Sequence, residues 1–331
     1  MTQKQLTKIC EMLKLEVPVS EPSRVYGGLL HLMWRVNTSK ASYAIKQISS
    51  EINMNNENIR KNYELTEQIA LRFFKQDIPA ISAIEYDDKH LIEIDQAFFL
   101  VYPWVDGQIA NKNTISEHHA LIIAGILAKM HAINLQMIGL KETYFDVHTT
   151  NSLVELIDMA QTCNVSFAHR LQAHKFEIME INNTYQKATI LLQKNAVISH
   201  GDLDPKNVLW NNKDQPILID WESARKLNPT YDIVNVSLDW SGITSNHFDQ
   251  ELFRKMMHTY KTTGGIIDKD LLQASFYGVM GNWMHWMVYN IKRACLSEES
   301  EEKNVAVEQV NLALSTIIRI KNNMHNLMVR S

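Results

Sequence analysis

The sequence is poor in glycine, proline and cysteine, with 11, 7 and 3 of them among 331 residues. Glycine and proline mark turns, so their shortage disfavours a turn-rich all-β fold and favours helices. The three cysteines, Cys10, Cys163 and Cys295, lie far apart without CxxC spacing, which argues against a thiolate zinc site and a disulfide framework. We therefore expect three reduced thiols in a cytoplasmic protein.

Positive charge and long apolar runs are also lacking. The chain has 33 basic and 37 acidic residues, a formal net charge of -4 and no basic cluster, which argues against nucleic acid as a partner. The longest apolar run, residues 120–128, is too short to span a bilayer. The N-terminal residues 1–17 have an amphipathic helical pattern rather than that of a signal peptide. We expect no membrane partner.

Hydrophobic periodicity divides the chain into a strand-rich first third and a helical remainder. The strand candidates are residues 24–26, 32–36, 43–48, 82–86, 91–94 and 97–102. One helix is predicted over residues 55–74, with Tyr63, Ile69, Ala70 and Phe74 on its buried side. The pattern predicts an α+β protein: an N-terminal lobe of about five antiparallel strands and one main helix over residues 1–101, a linker over 102–107, and a helical C-terminal lobe over 108–331.

Acidic residues follow the two strand-like pieces that interrupt the helical part, residues 197–199 and 216–219. The first piece leads into HGDLDPKN, and the second into IDWE. Phosphoryl transfer needs a carboxylate beside the attacking hydroxyl and oxygen ligands for a metal ion. Asp202 can accept the hydroxyl proton, and Asn207 and Asp220 can offer oxygens to Mg²⁺.

The spacing His-x-Asp-x-x-x-x-Asn resembles the catalytic loop of the protein-kinase-like fold. Together with IDWE, it is similar to the aminoglycoside phosphotransferase and choline kinase family, and the resemblance runs in order from about residue 24 to residue 240. It implies a bilobal fold with nucleotide and Mg²⁺ bound in the cleft between the lobes. In that fold Asp202 would be the catalytic carboxylate, and Asn207 and Asp220 would hold the metal.

The resemblance also implies a lysine on the third strand that contacts the α- and β-phosphates, and the segment YAIK assigns this role to Lys46. A helix glutamate should pair with it. Glu67 is the first choice, and Glu64, one turn earlier on the same face, is the alternative.

Two other segments match the family's nucleotide-binding layout. Gly27 and Gly28 stand where the phosphate-covering turn should be, and Tyr102 to Trp104 resemble the linker whose backbone meets the adenine. Protein kinases carry three spaced glycines, and they follow the metal aspartate with phenylalanine and glycine. Those features and the Ala-Pro-Glu signature are missing, which favours a small-molecule kinase over a protein kinase.

Several polar and aromatic residues near these motifs have a simpler interpretation than chemistry. His200 is expected to brace the catalytic loop rather than act as a base. Asp204 is expected to be a solvated loop residue, while Lys206 can reach the γ-phosphate. The cluster of tryptophan and methionine over residues 280–287 has helical spacing, which is typical of core packing rather than of an aromatic cage.

These patterns predict Mg²⁺-dependent transfer of the γ-phosphoryl group of ATP or GTP to a hydroxyl of a small molecule. An aminoglycoside-like antibiotic is the leading acceptor, with choline, ethanolamine, homoserine and a fructosamine as competitors; drug resistance and metabolism are both compatible roles. Two other classes compete: a pseudokinase that binds nucleotide without turnover, and a metal-dependent hydrolase that uses Asp202 and Asp220. A monomer or a homodimer is expected.

Overall fold

The computed structural model describes residues 1–26, 31–110, 115–140, 144–245 and 247–328. The chain forms two compact units. The first consists of Met1–Ala110, Gln136–Leu140 and His200–Ala224, and the second of Asn111–Leu135, Lys141–Ser199 and Arg225–Ser331. HGDLDPKN and IDWE therefore belong to the same unit as the first 110 residues. The lobe and linker boundaries drawn from the sequence remain a prediction.

A five-stranded sheet forms the main layer of the first unit. Its strands are β1 (Ser23–Val25), β2 (Leu32–Asn37), β3 (Ser42–Gln47), β4 (Ile92–Ile94) and β5 (Ala97–Pro103). Their order is β1-β2-β3-β5-β4, and every neighbouring pair is antiparallel. The predicted antiparallel sheet is confirmed, but the strand predicted over residues 82–86 is wrong. The Ile84 amide donates to the Val101 carbonyl of β5 at 2.7 Å, but the Ala83 amide donates to the carboxylate of Glu67, so the contact with β5 does not extend into a ladder.

Two helices pack in the first unit, α1 (Gln3–Met12) and α2 (Glu57–Phe74). The helix α1 begins with a capping box between Thr2 and Gln5 and buries Leu6 and Ile9 against the sheet. On α2, Tyr63, Ile69 and Ala70 are buried as predicted. The prediction for Phe74 is wrong: its side chain is 60% exposed, and Phe73 is buried instead. Phe73 packs on Trp221, with ring centroids 5.6 Å apart, which fixes this face of the helix.

A three-stranded antiparallel sheet in the same unit is formed by β6 (Gln108–Ile109), β8 (Val208–Trp210) and β9 (Pro216–Leu218). The pair of β8 and β9 is a hairpin in which Val208 lies opposite Leu218. This register brings the residue before β8 and the residues after β9 to the same end of the hairpin. Those positions are Asn207, Ile219 and Asp220.

In the part of the second unit that the structure describes, helices predominate, and one strand, β7 (Val197–Ser199), pairs with β10 (Arg225–Leu227). Its helices are α3 (Glu117–Ile133), α4 (Thr150–Thr162), α5 (Ala168–Ala173), α6 (Lys175–Leu192), α7 (Pro229–Trp240), α8 (Gln250–Thr262), α9 (Leu272–Leu296) and α10 (Ser300–Met328). Met284 and Met287 of α9 are buried, and the indole nitrogen of Trp286 donates to Gln309 at 3.1 Å. These contacts support packing for the 280–287 cluster. Among the described helices, none has the length and apolarity needed to cross a membrane.

Close packing around α9 leads to a stability prediction for a pair of helical glycines. A Cβ on Gly278 would lie 2.6 Å from Leu192 Cδ1 and 2.9 Å from the Tyr231 ring, whereas on Gly125 it would meet Thr263 at 3.8 Å. We expect Gly278→Ala to lower the free energy of unfolding by about 1–3 kcal/mol through overpacking. We expect Gly125→Ala to raise it by about 0.5–1 kcal/mol, because alanine is the better helix former. Urea denaturation measures both, and equal effects of the two variants would contradict the packing.

Candidate active site

HGDLDPKN forms a tight loop at the start of the β8–β9 hairpin. Asp204 accepts from the backbone amide of Lys206 at 2.8 Å, and Pro205 opens the short 3-10 helix Pro205–Asn207 that this contact caps. Asp202 precedes the cap and is half-buried, with 41% of its side chain exposed. The loop therefore presents the Asp202 carboxylate to solvent from a backbone that is locally fixed.

Asn207 holds Asp202 from within the same loop. Its side-chain nitrogen, Nδ2, donates to the backbone carbonyl of Asp202 at 2.7 Å and to Oδ2 of the same residue at 2.9 Å. Both partners are acceptors, so the amide must point its nitrogen towards them. The amide oxygen of Asn207, Oδ1, is consequently turned away from Asp202 and is the atom left for a cation.

Asp220 stands next to Asn207 because of the hairpin register. The Ile219 amide donates to the Asn207 carbonyl at 3.0 Å, and Asp220 follows directly. Asp220 has φ 62° and ψ 62°, in the left-handed region where residues other than glycine are uncommon. Such backbone strain persists only where surrounding contacts impose it, and it concentrates at functional sites.

Trp221 and His200 supply those contacts. Trp221 is buried, and its indole donates to the Leu218 carbonyl at 3.1 Å. His200 is also buried: its Nε2 donates to the Ile219 carbonyl at 2.9 Å, and the Asp202 amide donates to its Nδ1 at 3.4 Å. The imidazole thus joins the backbone of the loop to the backbone of the Asp220 segment, which is the geometry of a brace.

Lys46 reaches the same place from β3. Its side chain is 9% exposed, and its Nζ lies 2.6 Å from Asp220 Oδ1 and 3.3 Å from Glu222 Oε2. Burial would lower the pKa of Lys46, but the two carboxylates outweigh it and raise the pKa above its ordinary value. The site therefore holds a permanent cation beside Asp220.

The structure replaces the predicted partner of Lys46. Among the described residues, Lys46 pairs with Asp220 and Glu222, and Glu67 is engaged elsewhere. Glu67 is buried, accepts from the Tyr102 hydroxyl at 2.6 Å and from the Ala83 amide at 2.6 Å, and burial raises its pKa. The alternative, Glu64, caps the backbone amides of residues 90 and 91 at 2.8 and 2.9 Å. The predicted pairing of Lys46 with either helix glutamate is therefore corrected.

Glu222 and His31 are the parts of the site that the sequence prediction missed. His31 is buried, and its Nε2 lies 3.0 Å from Glu222 Oε2. Burial would raise the pKa of Glu222, but the hydrogen bond from His31 and the charge of Lys46 lower it to about 2. The acid in IDWE was a usable signal for Glu222. No signal in the sequence pointed to His31, because it lies 191 positions away from Glu222.

The remaining predicted nucleotide contacts lie at the end of β5 and before β2. The Tyr102 side chain is committed to Glu67, as described above. The ring of Trp104 lies under Arg35, 4.3 Å from the guanidinium carbon, and its indole nitrogen donates to Asp106 at 2.9 Å. Gly27 and Gly28 lie outside the described residues.

Lys206 is the second cation near the catalytic loop. Its Nζ lies 3.3 Å from Asp202 Oδ2 and 2.8 Å from Asp204 Oδ2, and 62% of its side chain is exposed. The pair with Asp202, whose side chain is 41% exposed, contributes at most about 1 kcal/mol. Lys206 can therefore leave Asp202 at little cost when a phosphate group approaches.

The donor set of this site fits Mg²⁺. This ion prefers oxygen ligands, and in nucleotide enzymes it is held by one or two carboxylates together with phosphates and water. Asn207 Oδ1 and the carboxylate of Asp220 are oxygen donors at the same end of one hairpin. With Asp202 and Lys46 beside them, the arrangement can hold a metal-bound phosphate chain and accept a proton next to it.

Comparisons with known proteins agree with this geometry. The sequence model of the phosphotransferase enzyme family matches residues 23–256. The fold is similar to a spectinomycin phosphotransferase in complex with ADP and spectinomycin, with a TM-score of 0.71 and 13% identity over 96% of this chain and 98% of that one. An aminoglycoside phosphotransferase from Alicyclobacillus acidocaldarius gives a TM-score of 0.62 and 15% identity over 96% of this chain and 94% of that one.

A kinase named for another substrate, ethanolamine, also shares the fold. A Plasmodium vivax ethanolamine kinase has a TM-score of 0.55 and 14% identity over 89% of this chain and 81% of that one. A comparison with curated protein sequences gave no match. At these identities the structural likeness establishes a kinase-like fold with an antiparallel-sheet N-terminal part and a helical C-terminal part, as predicted.

Proposed function

Because this chain belongs to the phosphotransferase enzyme family and is a small-molecule kinase, we propose that it moves the γ-phosphoryl group of ATP or GTP, with Mg²⁺, to a hydroxyl of a small molecule. The observation that carries the proposal is the cluster of Asp202, Asn207, Asp220 and Lys46 within one unit of the chain. These groups supply a proton acceptor, two metal ligands and a phosphate-binding cation. We also propose a cytoplasmic monomer or homodimer.

Asp202 receives the proton in this mechanism. As the acceptor oxygen forms its bond to the γ-phosphorus, the bond from that phosphorus to the β-γ bridging oxygen breaks and the nucleoside diphosphate leaves. The hydroxyl proton moves to the Asp202 carboxylate. Asn207 keeps that carboxylate in place through Nδ2, so its orientation is set before the acceptor arrives.

The nucleotide is held on the side of Lys46. Its ammonium is directed to the α- and β-phosphates, while Asn207 Oδ1 and Asp220 would hold Mg²⁺, which neutralises phosphate charge when bound. Gly27 and Gly28 are proposed to cover the phosphates, and the backbone from Tyr102 to Trp104 to meet the base. In this scheme Glu67 acts indirectly, since its contact is with the Tyr102 hydroxyl.

An aminoglycoside-like antibiotic is the proposed acceptor class. The structures that resemble this chain include a spectinomycin phosphotransferase with its drug, a kanamycin complex and an amicoumacin kinase complex. The ethanolamine and choline kinases among them make amino alcohols the competing class. Each of these acceptors carries at least one hydroxyl group together with an amino or quaternary ammonium nitrogen, so they can be compared in one assay.

A coupled assay of nucleotide turnover tests the proposal, with ATP and GTP measured separately against a panel of aminoglycosides and small amino alcohols. We expect acceptor-dependent release of nucleoside diphosphate with one acceptor class, abolished by Asp202→Asn. Nucleotide binding without turnover on any acceptor would favour the pseudokinase alternative. Release of phosphate from a phosphorylated substrate without nucleotide would favour the hydrolase.

A further inference from the structure

Lys46 needs a partner that does not also serve the metal. Asp220 lies 2.6 Å from Lys46, but the proposed mechanism commits its carboxylate to Mg²⁺. Glu67 is unsuitable, because one of its oxygens accepts from the Tyr102 hydroxyl and the other from the Ala83 amide. In this structure those two contacts hold the Glu67 carboxylate beyond ion-pair distance of Lys46, although its charge still raises the pKa of the lysine.

Glu222 meets the requirement. Its Oε2 lies 3.3 Å from Lys46 Nζ and 3.0 Å from His31 Nε2, so one oxygen is shared between the lysine and a buried imidazole. The backbone follows from Asp220 through a short 3-10 helix, Trp221–Ser223, in which Trp221 is buried. The main chain that carries Glu222 is therefore fixed by packing.

His31 can only donate to Glu222. Its other ring nitrogen, Nδ1, accepts from the Ser49 amide at 3.1 Å, and an amide N–H can only be a donor. The proton of the neutral imidazole must then be on Nε2, directed to Glu222. The Tyr63 hydroxyl lies 3.4 Å from the same Nε2, so α2 contributes a tyrosine to this network.

We propose that Glu222, oriented by His31, positions the nucleotide-binding Lys46 in this chain. Glu222 thus takes the role that the sequence had assigned to a helix glutamate. The inference rests on the proposed function of Lys46. Glu222 contacts Lys46, and its negative charge would repel phosphates, so it acts through the lysine. Losing it leaves Lys46 held by Asp220 alone, which draws the ammonium towards the metal ligand and away from the α- and β-phosphates.

Binding of a fluorescent ATP analogue tests the proposal, measured with Mg²⁺ and again in EDTA. We expect Glu222→Gln to weaken the nucleotide Kd about tenfold under both conditions, since the lost contact is a charge-assisted one. In turnover, KM for the nucleotide should rise while KM for the acceptor stays the same. Glu57→Gln is the matched control, because Glu57 is on α2 with 68% of its side chain exposed.

A pair of variants at His31 gives a second, independent readout. Glutamine can present its side-chain nitrogen where histidine presents Nε2, whereas alanine cannot donate at all. We expect His31→Ala to weaken nucleotide binding as Glu222→Gln does, and His31→Gln to recover most of the loss. Equal losses in the two His31 variants would mean that the imidazole matters for packing only, and would overturn the positioning role.

Two further outcomes would also overturn the inference. A Glu222→Gln defect that is present with Mg²⁺ but absent in EDTA would make Glu222 a metal ligand. A larger loss of nucleotide affinity in folded Glu67→Gln than in Glu222→Gln would return the role to the helix glutamate. Failure of the proposed function is distinct from these, because it would appear in the wild-type chain itself, either as no nucleotide binding in either buffer or as nucleotide binding without turnover on any acceptor.

Discussion

Replacing Asp202 by asparagine is expected to lower kcat by about 10²- to 10⁴-fold, the range by which general-base catalysis accelerates reactions. Asparagine has nearly the same shape but cannot accept the hydroxyl proton. The proposed binding groups for nucleotide and metal stay in place, so nucleotide affinity should be close to that of the wild type. Steady-state turnover on the acceptor, together with nucleotide titration, checks both parts of this prediction.

The Asp202→Asn variant should also fold normally. The oxygen of asparagine can still accept from Asn207 Nδ2, and the backbone carbonyl of residue 202 keeps its own hydrogen bond at 2.7 Å. Asp204→Asn is the matched control in the same loop, because asparagine can also cap the Lys206 amide. It should lose less than about tenfold in kcat. A similar large loss in both variants would assign the effect to the loop, and normal turnover of Asp202→Asn would refute its role as the proton acceptor.

Local patterns in the sequence were sufficient for the parts of the fold that depend on near neighbours. Short strand-like runs bounded by turn residues, one of them almost continuously apolar, located the strands of the five-stranded sheet, and residues 216–219 contain the strand Pro216–Leu218. The segment HGDLDPKN could be interpreted for the same reason. Its Asx cap, its proline and its amide–carboxylate contact are all made within six residues.

Predictions failed where a residue's partners are distant in sequence. Residues 82–86 look like a strand, but Glu67 of α2 takes the Ala83 amide. The helical period of α2 allows either Phe73 or Phe74 to be buried, and Trp221 decides between them. Glu67 was predicted to pair with Lys46 because of its position on the helix, yet its carboxylate accepts a hydrogen bond from the Tyr102 hydroxyl. In each case a competing tertiary contact won over a correct local pattern.

Asp220→Asn is expected to reduce turnover by about a thousandfold, because metal neutralisation of phosphate charge contributes several kcal/mol and each 1.4 kcal/mol is about tenfold. Asparagine is the informative substitution. Asp220 has φ 62°, a conformation that asparagine tolerates better than alanine does. The backbone of the hairpin end should therefore persist, so that the loss can be assigned to the missing charge.

Nucleotide affinity measured with Mg²⁺ and again in EDTA distinguishes Asp220→Asn from Asp202→Asn and Glu222→Gln. If Asp220 holds Mg²⁺, Asp220→Asn should lose the part of nucleotide affinity that Mg²⁺ adds and retain most of the affinity measured in EDTA, because Lys46 still has Glu222 at 3.3 Å. Asp202→Asn should bind the nucleotide with normal affinity in both buffers, and Glu222→Gln should bind it weakly in both. Wild-type turnover, or an unchanged Mg²⁺ dependence, in Asp220→Asn would contradict its role as a metal ligand. The three substitutions are therefore expected to give three different combinations of nucleotide affinity with Mg²⁺ and in EDTA. If each substitution merely disrupted the fold, all three variants would show the same combination.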